Sequence, residues 1–252
     1  MAGYRARAGR LWQALSHYVG KRDRAELALL GGGLVLVLLM LATFELAGEV
    51  FEGDTQAFDE RVLRALRRPD DPSQPVGPGW LHSTALDITA LGGAPVLGLT
   101  VAAIVGFLLL QGMQRTALFV LLASAGGWLL NSALKAAFGR PRPDVVPHLR
   151  DVMTLSFPSG HAMTSAAVYL TLGAMLMRIA ERRATKIYCM AIAMLATLLI
   201  GVSRVYLGVH YPTDVLAGWL FGLSWAVLCW MVERRIERRA GLKQEQQEHQ
   251  RH

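Results

Sequence analysis

Polar residues suited to phosphate chemistry are concentrated in three short segments of an otherwise apolar chain. The segments are KAAFGRPRP at residues 135–143, FPSGH at 157–161 and SRVYLGVHYPTD at 203–214. Lys135, Arg142 and Arg204 supply three cations, and forked guanidinium donors match the oxygens of a phosphate. A lone lysine at a helix end would be interpreted as a snorkelling side chain, but further cations in the first and third segments predict a phosphate site.

The second segment precedes a long apolar run, which places Ser159, Gly160 and His161 at the start of a predicted helix. Backbone N–H groups at a helix N-terminus are free, and the positive end of the helix dipole favours an anion there. Gly160 lets the backbone approach that anion closely. Alone, the PSGH sequence fits a plain helix start equally well, so its assignment to a phosphate site depends on the other two segments.

His210 and Asp214 in the third segment are four residues apart across the start of a predicted helix, with Pro212 in its first turn. This spacing lets the Asp214 carboxylate reach the His210 imidazole and fix its tautomer, which leaves the other ring nitrogen free to attack phosphorus. His161 is then available to protonate the leaving oxygen. Each histidine taken singly would be an ordinary interfacial or hydrogen-bonded residue, and only the combination favours catalysis.

Long apolar blocks indicate a membrane protein. The 252-residue chain is 53% hydrophobic and 18% charged, against about 25% charged residues in soluble domains. A helix needs about 20 apolar residues to cross a bilayer, and six blocks meet that length: residues 27–48, 85–110, 116–138, 161–179, 187–207 and 212–232. The sequence therefore predicts an all-α fold, a six-helix transmembrane bundle within residues 27–232.

Lysine and arginine residues are distributed unevenly between the two sides of these spans. With the N-terminus inside, 17 of the 26 fall on the cytoplasmic side, as is typical of inner loops. Residues 1–26 are then a basic cytoplasmic segment, and residues 233–252 are a polar cytoplasmic tail that we expect to be disordered after Gly241. All three polar segments fall on the outer side, so we expect the site to face the periplasm or exterior of a cell (inner) membrane.

The first outer loop contains a segment with helical periodicity. Phe58, Val62 and Leu66 recur at intervals of four residues, and Asp54 or Thr55 is placed to cap the helix. The pattern predicts a short amphipathic helix that lies either on the membrane surface or against the bundle.

Composition argues against other classes of protein. The basic residues lie between apolar blocks and not in a stripe with aromatic residues, so the net charge of +7 predicts no nucleic-acid partner. Cys189 and Cys229 lack the spacing of a metal site and are predicted to be free thiols. No obligate protein partner is indicated.

In order along the chain, the three segments match the patterns KxxxxxxRP, PSGH and SRxxxxxHxxxD. With these three patterns the sequence resembles the type 2 phosphatidic acid phosphatase (PAP2) superfamily. Every position of that signature is filled, by Lys135, Arg142 and Pro143, by residues 158–161, and by Ser203, Arg204, His210 and Asp214. The RPRP repeat makes Arg140 a rival for the arginine of the first motif, but the family spacing selects Arg142. The six-span layout extends the resemblance over most of the chain.

The resemblance implies a metal-independent, cofactor-free reaction through a phosphohistidine intermediate. It makes His210 the nucleophile, Asp214 its partner and His161 the acid. The residues implied to bind the substrate phosphate are Lys135, Arg142, Ser159, Gly160, Ser203 and Arg204. The superfamily also contains soluble vanadate-dependent haloperoxidases, and six spans without a large soluble domain argue against that branch.

The expected function is hydrolysis of a lipid phosphomonoester or diphosphate that enters from the outer leaflet, with the lipid and the bilayer as partners. Undecaprenyl diphosphate is the first expectation. Phosphatidylglycerophosphate, phosphatidic acid and phosphate transfer to a second lipid are rivals, because the motifs bind phosphate and do not define the tail. A transporter or scaffold without turnover would explain the spans but not the three motifs.

Overall fold

The computed structural model describes residues 24–151 and 154–249, which form eight helices and no β-sheet. The helices are α1 (Arg24–Glu52), α2 (Gln56–Ala65), α3 (Gly79–Leu91), α4 (Ala94–Leu110), α5 (Gln114–Phe138), α6 (Gly160–Ile179), α7 (Arg183–Tyr206) and α8 (Pro212–His249). Five of them are long and apolar enough to cross a bilayer, and α3 with α4 forms a sixth span bent by 46°. The predicted all-α, six-span membrane bundle is confirmed.

The bend in the second span is the main departure from the predicted layout. The sequence predicted one continuous span over residues 85–110, whereas the helix begins at Gly79 and breaks at Gly92 and Gly93. A Cβ atom on Gly92 would overlap Cγ2 of Ile200 and lie 3.4 Å from Cβ of His161. The break therefore lies where the chain passes close to α6 and α7, and glycine permits that approach.

Helix α6 lies against both α7 and α8, and its contact with α8 brings the two backbones together. A Cβ atom on Gly218 would lie 2.8 Å from the carbonyl oxygen of Ser159, and one on Gly222 would lie 2.5 Å from that of Met163. Small residues allow membrane helices to approach in this way. The start of α6 is consequently fixed against the start of α8, which are the positions of the second and third motifs.

Three aromatic rings join the C-terminal ends of α1 and α5 to the segment before α6. The rings of Phe51 and Phe138 are stacked with centroids 5.2 Å apart, and Phe157 meets both of them edge-on. Phe157 is fully buried and directly precedes the PSGH sequence. The cluster therefore anchors the loop that leads into the second motif.

The outward faces of the spans carry large exposed apolar residues, as a bilayer requires. Leu34, Leu99 and Leu129 are examples on three different spans. In water such a surface would promote aggregation, but beside lipid tails an apolar surface is expected. The protein is a multi-pass membrane protein.

The short helix predicted in the first outer loop is present as α2, but it buries a different face. Phe58, in the predicted apolar stripe, is 55% exposed. The buried positions of the helix are Asp59 and Leu63, each one residue beyond a position of the predicted stripe, and Arg67, just after the helix, is buried as well. Thr55 occupies the N-cap position without a side-chain capping bond. The helix packs against the bundle because Asp59 has partners there, which apolar periodicity does not reveal.

The C-terminal tail was predicted less well. Helix α8 continues to His249, so the expected disorder after Gly241 is wrong for the part of the tail that the structure describes. The basic segment predicted to be cytoplasmic, residues 1–26, falls largely outside the described residues, which begin at Arg24. Cys189 and Cys229 are free, as predicted.

Candidate active site

The three motif segments meet at one end of the bundle. The first runs from the end of α5 into the following loop, the second starts α6, and the third joins the end of α7 to the start of α8. These chain ends come together because α5, α6, α7 and α8 alternate in direction. Side chains from all three segments therefore surround His210.

His210 is 1% exposed, and its Nδ1 atom faces the carboxylate of Asp214. The distance from Nδ1 to Asp214 Oδ2 is 3.4 Å. The Ser156 hydroxyl contacts both atoms from the side: it is 3.3 Å from Nδ1 and donates to the same carboxylate oxygen. The backbone N–H of Tyr211 donates to that oxygen at 3.0 Å. Asp214 is thus an acceptor in each contact, as an ionised carboxylate must be.

The other nitrogen of the His210 ring, Nε2, faces Arg142. Nη1 of Arg142 lies 3.2 Å from Nε2 and also donates to the carbonyl of Val209 at 2.5 Å. Further bonds from this guanidinium to the carbonyl and hydroxyl of Thr154 fix its plane. Since arginine only donates, Nε2 is the accepting nitrogen, which puts the ring proton on Nδ1, beside Asp214. The predicted tautomer follows from this geometry.

Electrostatics favour a neutral His210. Burial, followed by the positive charges of Arg142, Arg204 and Lys135, lowers the pKa of His210 well below its ordinary value. Burial also lowers the pKa of Arg142, to about 10, which leaves that side chain charged at neutral pH. An unprotonated Nε2 beside a cluster of cations is the arrangement that attack on a phosphate requires.

Arg204 and Lys135 approach the site from α7 and α5. Arg204 is 2% exposed, and its Nη1 donates to the hydroxyl of Thr89 at 3.0 Å. Its buried Nε finds no hydrogen-bond partner among the described residues. The Nζ atom of Lys135 donates to the carbonyl of Leu155. Both cations are therefore held by neutral oxygens, and their charge is free to interact with an anion.

The PSGH sequence forms the start of α6, as predicted. Ser159 is the N-cap residue, and its buried hydroxyl has no hydrogen-bond partner in the described chain. A Cβ atom on Gly160 would lie 3.4 Å from Cε of Lys135 and 3.3 Å from Nδ2 of Asn131, so a larger residue would crowd the lysine. His161 Nε2 is likewise buried without a partner in this part of the structure. Buried polar atoms of this kind indicate a polar ligand.

Ser203 is the predicted phosphate ligand that the structure arranges differently. Its hydroxyl donates to the carbonyl of Ile200 at 2.6 Å, within its own helix. A hydroxyl has one proton to donate, so that donor is already in use. Ser203 is buried beside Arg204, and its hydroxyl donor is used within α7.

Sequence reasoning missed a second group of charges behind Asp214. Arg140, set aside in favour of Arg142, donates to Asp214 Oδ1 at 2.6 Å and to Asp59 Oδ2 at 3.0 Å. Thr213 binds both oxygens of Asp59. The RPRP repeat drew attention to Arg140. Its partner Asp59, however, is 81 residues earlier in the sequence, in α2, which is too far for a short motif to reveal.

Arg67 is a further buried cation that the motifs do not contain. It lies just after α2, where Nη1 donates to the carbonyl of Tyr206 at 3.0 Å and Nη2 reaches that of Pro147 at 3.4 Å. Gly208 has a φ of 72°, and a Cβ atom there would overlap Nη2 of Arg67. Arg67 therefore holds together the two loops that carry Arg142 and His210.

Metal donors are not grouped in this site. Across residues 24–151 and 154–249, His, Cys, Asp and Glu nowhere gather in threes that would hold a metal ion. The cationic groups of the site are instead side chains of the protein.

Comparison with known proteins identifies the family. A sequence model of the PAP2 superfamily matches residues 116–238. Phosphatidylglycerophosphatase B of Bacillus subtilis is 32% identical over 208 residues, which are 80% of this chain and 96% of that protein. The crystal structure of the transmembrane PAP2-type phosphatidylglycerolphosphate phosphatase from Bacillus subtilis superposes with a TM-score of 0.72 over the same shares. This chain belongs to the PAP2 superfamily.

Two further relatives cover shorter parts of this PAP2 protein. The lipid A 1-phosphatase of Rhizobium etli is 34% identical over 116 residues, 42% of this chain and 46% of that one. The undecaprenyl-diphosphatase of Sulfolobus acidocaldarius is 37% identical over 70 residues, 28% and 29% of the two chains. The names of these relatives all refer to phosphatases of lipids, so the protein is a member of a family of membrane lipid phosphatases.

Proposed function

We propose that this protein hydrolyses the phosphomonoester of a membrane glycerophospholipid, with phosphatidylglycerophosphate as the substrate and His210 as the nucleophile. The observation that carries the proposal is that the two nitrogen atoms of the His210 ring have different partners. Nδ1 faces Asp214, and Nε2 lies 3.2 Å from Arg142. The nitrogen that must attack therefore lies where an arginine would hold the phosphate.

In the first step, phosphate oxygens take over the Arg142 donors and free the lone pair of Nε2. A bond forms between Nε2 and phosphorus while the bond from phosphorus to the lipid oxygen breaks. His161 takes up a proton when the phosphate anion binds beside it and donates that proton to the leaving oxygen, so the lipid leaves as an alcohol. Asp214 accepts from Nδ1–H and stabilises the positive charge that develops on the ring.

In the second step, water attacks the phosphohistidine. His161, now unprotonated, takes the proton of the water, and the bond between Nε2 and phosphorus breaks. Orthophosphate leaves and His210 is neutral again. Lys135, Arg142, Arg204 and the start of α6 face the phosphate oxygens in both steps.

These same groups support a reaction without a metal ion. Three side-chain cations and a helix N-terminus balance the phosphate charge, which is the role that magnesium has at other phosphoryl-transfer sites. Turnover should continue in excess chelator and should not increase when magnesium is added.

The substrate assignment follows the relative with the greatest coverage. The phosphatidylglycerophosphatase matches over 208 residues, which are 96% of its own length, so the match extends well beyond the three motifs. The undecaprenyl-diphosphatase shares only 29% of its length with this chain. Undecaprenyl diphosphate, the first expectation from sequence, is accordingly the second candidate.

The same proposal places the site on the outer face of the membrane. The support is that 17 of 26 lysine and arginine residues lie on the opposite side of the predicted spans. Single cysteines at exposed Ser73 and Arg183, in a Cys189→Ala/Cys229→Ala background, would test it with an impermeant thiol reagent. Labelling at position 73 alone in intact cells supports an outer site, and labelling at position 183 alone refutes it.

Phosphate release by the purified protein in detergent micelles tests the function. The panel contains phosphatidylglycerophosphate, phosphatidic acid, undecaprenyl diphosphate and a soluble aryl phosphate, and His210→Ala is the matched inactive control. We expect the highest kcat/KM for phosphatidylglycerophosphate. A higher kcat/KM for undecaprenyl diphosphate would make that lipid the assigned substrate. Absence of turnover with every lipid would favour a transporter or scaffold.

A further inference from the structure

Behind the His210–Asp214 pair lies a buried group of charges that the proposed steps do not use. Asp59 and Asp214 are completely buried, and Arg140, which bridges them, is 9% exposed. Taking three charges out of water is unfavourable unless each one is paired and hydrogen-bonded. In a membrane protein such residues indicate function more often than stability.

The bonds of Asp59 show that it acts as an ionised carboxylate. Its Oδ1 accepts from the backbone N–H of Thr213 at 3.1 Å, and its Oδ2 accepts from the Thr213 hydroxyl at 2.6 Å and from Arg140 at 3.0 Å. Burial raises the pKa of Asp59, and these donors oppose that change. Because each contact is a donor to Asp59, the carboxylate form satisfies all of them.

Charge balance explains why two carboxylates share one arginine. If Arg140 paired with Asp214 alone, its positive charge would cancel the negative charge that stabilises the His210 ring. With Asp59 included, the group carries one net negative charge. That charge lies on the Nδ1 side of the ring, opposite the cations that face Nε2.

We propose that Asp59 and Arg140 are positioning residues that hold the Asp214 carboxylate and keep one net negative charge behind His210. The inference rests on the proposed function and extends it to α2, in the first outer loop. Arg140 fixes Oδ1 of Asp214, so Oδ2 is left for Ser156, the Tyr211 N–H and the His210 ring. Asp59 fixes Arg140 and, through Thr213, the first turn of α8.

Charged and titratable groups face His210 from every element packed around it. They are Lys135 on α5, Arg142 in the following loop, His161 on α6, Arg204 on α7 and Asp214 on α8. Replacing Asp59 or Arg140 removes none of these groups. Each replacement loosens the hold on Asp214 and also changes the net charge of the group behind it, and the two charge changes have opposite signs.

The test measures the rate of phosphoenzyme formation against pH for Asp59→Asn, Arg140→Gln and the double variant. Each single variant should lower kcat about 10- to 100-fold with a smaller change in KM, as for other residues that orient a reacting group. Asp59→Asn removes a negative charge, so the acid-side half-point should move to lower pH. Arg140→Gln removes a positive charge, so it should move to higher pH. The double variant should return towards the wild type.

Matched controls separate this role from simple support of the fold. Glu60→Gln makes the same charge change on the neighbouring residue, whose carboxylate binds Gln56 and Arg64 at the surface, and it should leave rate and pH profile unchanged. Arg140→Lys keeps the charge and should recover part of the turnover with the wild-type half-point. Half-points that do not move, or that move in the same direction in both single variants, would overturn the proposal.

A second measurement does not depend on turnover. NMR of ¹⁵N-histidine-labelled protein in detergent reports which nitrogen of His210 carries the proton. In the wild type the proton should reside on Nδ1, and in Arg140→Gln and Asp59→Asn the two tautomers should mix. Retention of a single tautomer in folded variants would refute the positioning role even if lipid turnover proves the proposed function. Mixed tautomers in a protein that hydrolyses no lipid would refute the function alone.

Discussion

Nη1 of Arg142 lies 3.2 Å from Nε2 of His210, while Nδ1 of the same ring faces Asp214. Each ring nitrogen thus has a separate partner, one cationic and one anionic. The arginine prevents protonation of Nε2, and the carboxylate holds the proton on Nδ1. In the proposed reaction, this relationship makes Nε2 of His210 the atom that bonds to phosphorus.

Replacing His210 with alanine should abolish the phosphoenzyme and lower turnover by at least about 10³-fold, as for deletion of other nucleophiles. Reactions of the wild-type protein with ³²P-labelled lipid, quenched in base because acid hydrolyses phosphohistidine, would locate the label by peptide mapping. The phosphoryl group should be on a peptide that contains residue 210. Label on a peptide with His161 but not His210 would reverse the two roles.

Replacing His161 with alanine should affect substrates according to their leaving groups. For a lipid phosphomonoester, loss of a proton donor should lower kcat by about 10²- to 10⁴-fold. An activated aryl phosphate leaves without protonation and should be spared in the first step. Single-turnover rates with the two substrates provide the comparison. An equal loss on both would show that His161 binds phosphate and does not deliver a proton.

The state of His210 should be insensitive to mild acid. Only the neutral ring attacks, and its pKa lies well below the ordinary value of about 6.5. Because a lowered pKa keeps the ring neutral as pH falls, the Nδ1–H tautomer should persist unchanged from about pH 7.5 to pH 6. NMR of ¹⁵N-histidine-labelled protein, with His210→Ala for assignment, would follow the signal. Protonation centred near pH 6.5 would contradict this expectation.

Replacing Gly222 with alanine should lower the free energy of unfolding by about 1–3 kcal/mol, a typical cost of overpacking. The new methyl group would lie 2.5 Å from the Met163 carbonyl oxygen, which belongs to a backbone that cannot rotate away. Chemical denaturation in detergent gives the difference. Gly98→Ala is the matched control, since a Cβ atom there meets nothing within 4 Å, and it should cause no loss. Equal stability of the two variants would show that α6 and α8 separate easily.

The sequence predicted the spans well because a span depends on a short-range pattern, the length of an apolar run. The proximity of His210 and Asp214 is also short-range, since only four residues separate them across the start of α8. The sequence failed where a residue depends on a distant partner. Asp59 looks like a polar residue of an amphipathic helix until Arg140 and Thr213 are placed beside it. The break at Gly92 likewise depends on Ile200, which only the packed bundle brings near.

The segment that matches the PAP2 family, residues 116–238, contains the three motifs but does not contain everything that holds them. Three residues that precede it bind residues inside it. Asp59 binds Arg140, Arg67 binds the carbonyl oxygen of Tyr206, and Thr89 binds Arg204. The matched segment therefore does not contain the complete candidate site. In a chimaera between two relatives, the chain between α1 and α3 would have to come from the same parent as residue 140. Otherwise a buried charge at one of these positions would have no partner.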